Sequence, residues 1–258
     1  MSGRGLELSG VAVRLGLTQV VDGVSLSVPP NTFLAVVGPN GVGKTSLVKA
    51  VAGLVRAAGE IRFDGTMLAG LSPEARARRL AYLPQRAEAA WALPVRDAVA
   101  LGRLPHGDPF GRPTAADAEA VQRALDRLDL SGFAARPVTA LSGGERARVM
   151  LARVLATEAR LILADEPTAA LDPAQQLGVL DLLRGLGEAG HVVVAVLHDL
   201  TLAARFAHRV AVMQAGRIVA EGPPGEVFTD RLLADVFGLA CTFVEIDGRR
   251  VPVPQRRL

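Results

Sequence analysis

The sequence predicts an α/β protein built on a mainly parallel sheet, with a helical segment inserted between two core strands. Three observations predict it. Apolar, β-branched runs alternate with stretches of helical period along most of the 258 residues. One of those runs, residues 33–37, leads straight into a glycine-rich loop and then into a helical pattern. Hydrophobic residues make up 50% of the chain against 21% charged, enough to bury a large core and too apolar for disorder.

Strands are expected near residues 6–13, 24–28, 33–37, 60–63, 80–83, 161–164, 192–196, 210–213 and 217–220, where apolar residues alternate or run continuously. The last two are separated by Gln214-Ala215-Gly216, a hairpin turn. Helical periodicity covers residues 44–54, 95–101, 115–128, 144–156, 174–186 and 199–206. From 87 to 159 no convincing strand pattern occurs, so this stretch is expected to be a helical insertion, with the Gly- and Pro-rich residues 105–113 as a loop inside it. The closing Arg256-Arg257 is expected to be a solvated end. No repeat, heptad run or low-complexity tail is present.

Twenty-nine basic residues against 26 acidic ones leave a net charge of +3, too small for a dedicated nucleic-acid binder. The longest apolar runs fall far short of the roughly 18 residues a membrane span needs. The first residues carry Arg4, Glu7 and Arg14 without the apolar stretch of a signal peptide, and Cys241 is the single cysteine. These features lead us to expect the reducing cytosol. Only Lys44 and Lys49 are lysine; the other 27 basic residues are arginine, so lysine placement is informative.

Gly38-Pro39-Asn40-Gly41-Val42-Gly43-Lys44-Thr45 follows the strand pattern at 33–37 and precedes a helical run. This is the spacing and context of a phosphate-binding loop. Glycines let backbone N–H groups turn toward phosphates, the helix N-terminus adds its positive dipole end, and the Thr45 hydroxyl suits magnesium. Lys44 is a compact charge for the β and γ phosphates, which the planar guanidinium of arginine replaces poorly. A chance glycine-rich turn would not explain why one of two lysines stands there.

Residues 160–167, Arg-Leu-Ile-Leu-Ala-Asp-Glu-Pro, form an apolar strand ending in two acids. Beside a phosphate loop, such a strand end positions a magnesium-linked aspartate, Asp165. Glu166, next along, is placed to act as general base on the attacking water. Leu141-Ser142-Gly143-Gly144-Glu145 has the form of a helix cap, Ser142 with Glu145 three residues on. Two consecutive glycines also suit close approach by another group, and exposed N–H groups there would make a second anion site. Two such sites with a single lysine loop imply a head-to-tail pair, each ATP held between copies.

The chain resembles the nucleotide-binding subunit of ATP-binding cassette (ABC) transporters. The loop at 38–45, with Ser46 after it, is similar to the family's Walker A, residues 161–165 to Walker B with Glu166 as catalytic glutamate, and 141–145 to the signature. Gln85 matches the glutamine of the Q-loop, Ala170-Leu171-Asp172 the D-loop, and His198 the switch histidine. Six motifs in family order span essentially the whole chain. The resemblance implies one ABC ATPase domain over 1–258: a P-loop NTPase core with an antiparallel β subdomain at 1–86 and 160–258, and a helical subdomain at 87–159.

It further implies that Lys44, Glu166 and His198 are catalytic, His198 by a hydrogen bond to the γ-phosphate, that Thr45 and Asp165 serve magnesium, and that Gln85 contacts magnesium or the attacking water and transmits to the membrane partner. Gly38, Pro39, Asn40, Gly41, Gly43, Lys44, Thr45, Ser46, Gln85, Ser142, Gly143, Gly144 and Asp172 are expected to bind ATP. His106, His191 and His208 match no motif and are expected to be surface or structural. Leu15 stands where the family usually carries an aromatic residue that stacks on adenine, so apolar packing by Leu15 or Val20 would replace stacking.

Residues 71–85, 102–106, 197–200 and the stretches 221–224 and 237–238 are similar to iron-siderophore, haem and cobalamin uptake ATPases. The expected assembly is two copies in an ATP-sandwich dimer with two separate integral-membrane permease subunits and, indirectly, a substrate-binding protein, without nucleic acid. The expected place is the cytoplasmic face of the cell membrane, peripherally bound. Permease coupling helices are expected around residues 85–91 and the helical insertion. Another transporter's ATPase, a lipid exporter's or another importer's, is the nearest alternative. A soluble ABC ATPase acting on ribosomes or DNA fits less well, since there is one cassette and no coiled coil; a P-loop kinase would leave the signature and His198 unexplained.

Overall fold

The computed structural model describes residues 5–85, 92–107, 113–169 and 171–258. Its first strand, β1 (Leu6–Leu15), buries Leu6, Leu8, Val11 and Val13. The alternation slips between Leu8 and Val11, where the pairing register with β2 (Thr18–Val28) also shifts, the mark of a bulge. In β3 (Thr32–Val37) every residue is buried. The phosphate loop follows and feeds α1 (Lys44–Ala52), which ends at Gly53 in the left-handed conformation with its N–H donating to the Ala50 carbonyl. Next come β4 (Ala58–Phe63), β5 (Thr66–Met67), α2 (Pro73–Ala77) and β6 (Leu80–Leu83).

The following segment is helical among its described residues: α3 (Val95–Ala100), α4 (Ala115–Arg127) and α5 (Gly143–Ala156), joined by short 3-10 turns. The chain then returns to β7 (Leu161–Asp165), α6 (Pro173–Glu188), β8 (Val192–Val196), α7 (Leu200–Phe206), β9 (Arg209–Gln214) and β10 (Arg217–Gly222). It closes with α8 (Pro224–Val227), α9 (Asp230–Phe237), β11 (Leu239–Ile246) and β12 (Arg249–Arg257).

A six-stranded sheet in the order β10-β9-β3-β8-β7-β6 forms the centre, parallel from β9 through β6, with β10 antiparallel at one edge. A separate antiparallel sheet runs β2-β1-β4-β5. The architecture is therefore α/β: the mainly parallel sheet is as expected from the pattern, and the antiparallel sheet as the resemblance implies. Because β3 is covered on both faces, its run is continuously apolar rather than alternating. Phe33, Ala35 and Val37 pack into a core shared with α3 to α7, while Leu34 and Val36 pack into a second core with α1 and the antiparallel sheet. Each of the larger of these side chains, Phe33, Leu34, Val36 and Val37, contributes about 1.5–3 kcal/mol relative to exposure. No helix among the described residues is long and apolar enough to cross a membrane.

The turn Gln214-Ala215-Gly216 joins β9 to β10 as expected. Arg256 and Arg257 are exposed, as expected of a solvated end, but they belong to β12 of a β-hairpin over residues 239–257 that the sequence pattern does not announce. The hairpin is held by tertiary contacts, with the Thr201 hydroxyl donating to the Pro252 carbonyl at 2.8 Å and Arg249 to the Ala207 carbonyl at 2.9 Å. Residues 86–91 of the expected permease contact and Ala170 of the D-loop lie outside the described residues, as do 108–112 of the expected loop.

Candidate active site

The phosphate loop begins where β3 leaves the sheet. A side chain at Gly38 would collide with the Met213 carbonyl on β9, and one at Gly43 with the Val20 carbonyl on β2. Gly43 also has φ 99°, a conformation glycine tolerates, and it is the residue preceding α1. The loop is thus pinned between both sheets. Gly41 has positive φ and open space around it, and Asn40 and Gly41 are exposed.

Lys44 is the first residue of α1 and is buried. Its ammonium folds back over the loop and donates to the carbonyls of Gly38 at 2.7 Å and Pro39 at 2.8 Å. Burial holds its pKa below the ordinary lysine value, opposed by the charges of Glu166 and Asp165. One residue on, the Thr45 hydroxyl donates to Oδ1 of Asp165 at 2.9 Å, and Ser46 follows half-buried on the same helix.

Asp165 ends β7 and is 1% exposed. Burial raises its carboxyl pKa; the Thr45 hydrogen bond opposes this, the charge of Glu166 adds to it, and the Lys49 ammonium opposes it again. Tyr82 on the neighbouring β6 reaches Oδ2 with its hydroxyl at 3.4 Å. Burial, with the adjacent Asp165 charge, keeps that phenol protonated well above the usual range. Neither Lys49 nor Tyr82 falls in one of the six motifs, so the signals for them in the sequence are the scarcity of lysine and the single tyrosine.

Glu166 leaves the strand with φ 52°, a left-handed conformation unusual for a residue with a side chain. Such strain persists where surrounding structure enforces it, as at reactive sites. One carboxylate oxygen faces His198 Nε2, and the other accepts from Gln85 Nε2 at 2.5 Å. Lys44, Thr45, Gln85, Asp165, Glu166 and His198, spread over the sequence, therefore meet at the carboxyl ends of β3, β6, β7 and β8, where open parallel sheets place ligands. A cavity of about 460 Å³ lies beside them, lined by Gly38–Asn40, the His198–Thr201 turn, and Phe237, Leu239 and Pro254. Of the closing residues that contribute to it, Phe237 lies in a stretch the sequence marks by resemblance, whereas Leu239 and Pro254 carry no signal in the sequence.

Ser142, Gly143, Gly144 and Asp172 do not join this cluster within one chain. Ser142 and Glu145 form a capping box at the start of α5: the Ser142 N–H donates to Glu145 at 2.8 Å and the Glu145 N–H to Ser142 Oγ at 3.3 Å. Ser142 and Gly143 are exposed; a side chain at Gly144 would strike Gln175 of α6. Asp172 caps α6, accepting from the Gln175 N–H at 2.9 Å. The other histidines are used structurally: His208 Nδ1 accepts from the Phe33 N–H at 2.9 Å, His191 Nδ1 lies 3.1 Å from the Leu186 carbonyl, and His106 Nε2 2.8 Å from that of Thr157. Leu15, at the tip of β1, is 50% exposed.

The donors fit a hard cation. Hydroxyl and carboxylate oxygens suit magnesium, which is held by one or two protein groups together with phosphates. Among the described residues no group of three or more His, Cys, Asp or Glu could hold a metal by itself.

Residues 21–169 match the family described as ABC transporter. The chain is 49% identical over 229 residues to the Hemin import ATP-binding protein HmuV of Streptomyces coelicolor, covering 88% of this chain and 81% of that one. It is 42% identical over 262 residues to the protein of the same name in Myxococcus xanthus, covering 98% and 97%. Among solved structures, a metal-chelate type ABC transporter in an inward-facing conformation aligns with TM-score 0.84 at 27% identity, covering 98% of each chain. The phosphate loop, the acid-tipped strand and these likenesses lead to one conclusion: the chain belongs to the ABC transporter family, as an ATPase whose ATP hydrolysis is coupled to transport.

Proposed function

We propose that the chain powers import of a metal chelate of the haem, iron-siderophore or cobalamin class, with haem the foremost substrate. The observation that carries this is its 49% identity to a hemin import ATP-binding protein across 88% of its own length. No group in the ATP site would touch the imported solute, so the substrate is set by the permease.

In the proposed cycle, backbone N–H groups of residues 38–45 and the α1 N-terminus receive the phosphates, and Lys44 exchanges its hold on the Gly38 and Pro39 carbonyls for phosphate oxygens. Asp165, Thr45 and Gln85 would hold magnesium, which when bound supplies charge neutralisation at the β and γ phosphates. Glu166 takes a proton from water as its oxygen bonds to the γ phosphorus and the bond to the β-γ bridging oxygen breaks. His198, beside Glu166, donates to the γ-phosphate. Ser142, Gly143 and Gly144 serve the ATP of a second copy, for which their exposure at a helix N-terminus is suited. Asp172 lies at that same interface.

Closure and reopening of the dimer then pass to two permease subunits at the peripheral membrane face. A groove of about 470 Å³ between β6 and the helical segment, lined by Tyr82, Pro84, Gly102, Met150 and Arg153, supports placing the permease contact there. A strain lacking this chain, grown with haem, a ferric siderophore or cobalamin as the only source of the limiting nutrient, tests the substrate. Growth on haem should fail and return with the wild-type chain but not with Lys44→Ala; undiminished growth on haem would overturn the haem assignment.

A further inference from the structure

Strands β6 and β7 are parallel, with Tyr82 opposite Leu163 and Leu83 opposite Ala164. Side chains alternate along each strand, so Leu80 and Tyr82 share a sheet face with Leu161, Leu163 and Asp165. Apart from Tyr82 and Asp165 those residues are aliphatic, and they join the core beneath α1. A phenol on such a face needs a partner for its hydroxyl. The partner is Asp165 Oδ2, 3.4 Å away, while Thr45 occupies Oδ1 at 2.9 Å. Among the described residues, these two hydroxyls are the side-chain hydrogen-bond donors to a carboxylate that is 1% exposed.

One hydrogen bond leaves a carboxylate free to turn about its Cβ–Cγ bond; a second, on the other oxygen, fixes its plane. We propose that Tyr82 is a positioning residue, setting the plane in which Asp165 presents its oxygens to magnesium. The proposal rests on the reading of Asp165 as a magnesium ligand. Partners of this kind around a metal ligand typically tune metal affinity by tenfold or more. Tyr82 therefore acts through Asp165 and not on the nucleotide, and its loss shows as a changed need for magnesium.

The test titrates a fluorescent ATP analogue against the full-length chain in EDTA and across a magnesium series, for wild type, Tyr82→Phe and Asp165→Asn, with the magnesium dependence of steady-state hydrolysis alongside. In Tyr82→Phe, analogue affinity in EDTA should match wild type, the half-saturating magnesium concentration should rise on the order of tenfold, and kcat at saturating magnesium should stay within about twofold. A magnesium midpoint unchanged in Tyr82→Phe but shifted in Asp165→Asn would overturn the role of Tyr82 and leave the magnesium reading standing. Equal loss of affinity with and without magnesium, with a lowered melting temperature, would make Tyr82 merely structural and also overturn it. A midpoint shifted in neither variant would remove the magnesium reading of Asp165, and the proposal with it.

Discussion

The Thr45 hydroxyl donates to Oδ1 of Asp165 across 2.9 Å, tying the first turn of α1 to the end of β7. The two residues stand 120 positions apart in the chain. The link matters because Asp165 is buried, and a buried carboxylate without a donor costs stability as well as geometry.

Thr45→Val keeps the shape and removes that donor. It should lower magnesium-dependent hydrolysis on the order of 10- to 100-fold and cost about 1–3 kcal/mol in urea unfolding. Thr45→Ser keeps the hydroxyl and should restore hydrolysis to near wild type. Equal activity of the valine and serine variants would show that the hydroxyl has no part in the reaction.

Glu166→Gln preserves the volume between Gln85 and His198 and removes the basic carboxylate. Loss of a general base typically costs about 100-fold or more, so turnover should nearly cease while ATP still binds. With hydrolysis halted, light scattering should show conversion of monomer to dimer on adding magnesium and ATP. Wild-type turnover in this variant would place the base elsewhere.

The parts of this arrangement that were legible in the sequence are those encoded locally. The apolar run of β3, the glycines and lysine after it, and the acids ending β7 each announce themselves within eight residues or so. The hairpin of β11 and β12 does not: Pro252, Pro254 and the arginine pairs at 249–250 and 256–257 break any strand pattern. Its position depends on distant partners, Thr201 and Ala207. Gly43 was readable as a loop glycine, yet the reason no larger residue fits, the Val20 carbonyl of another sheet, is non-local. Ser142 and Asp172 show a different limit, since in one chain their side chains are engaged in helix caps that any helix could use.

Leu15 offers a separate test of the nucleotide site. It ends β1 opposite Thr18 of β2, two residues before the Val20 carbonyl that abuts the loop at Gly43. An exposed aliphatic chain there packs on a base more weakly than a ring does, because stacking on an aromatic contributes about 1–3 kcal/mol per base. Leu15→Tyr should therefore tighten ATP binding on the order of tenfold and leave tripolyphosphate binding unchanged, measured by calorimetry. Equal effects on both ligands would mean that Leu15 does not face the base.

Asp117 governs acid sensitivity far from that site. It lies in the first turn of α4, buried, where it accepts from the Thr114 hydroxyl at 2.7 Å and from Arg103 Nε at 2.9 Å. Arg103 in turn donates to the Ala156 carbonyl and to Glu158, so this carboxylate anchors the hub that ties α4 to the end of α5. The Thr114 hydrogen bond, followed by that of Arg103, holds the carboxyl pKa down to about 2. An unfolded aspartate titrates near 3.8, so between these values the unfolded chain binds the proton more readily than the folded one. The stabilisation from Asp117 is accordingly complete above about pH 4 and is lost as pH falls through about 2. Asp117→Asn should cost about 1–2 kcal/mol at pH 7, and the gap from wild type should narrow on acidification as the native carboxyl becomes neutral. Urea unfolding of both proteins at pH 7 and near pH 2.5 measures this directly, and a gap of constant size would mean that the Asp117 charge contributes nothing to holding the helices together.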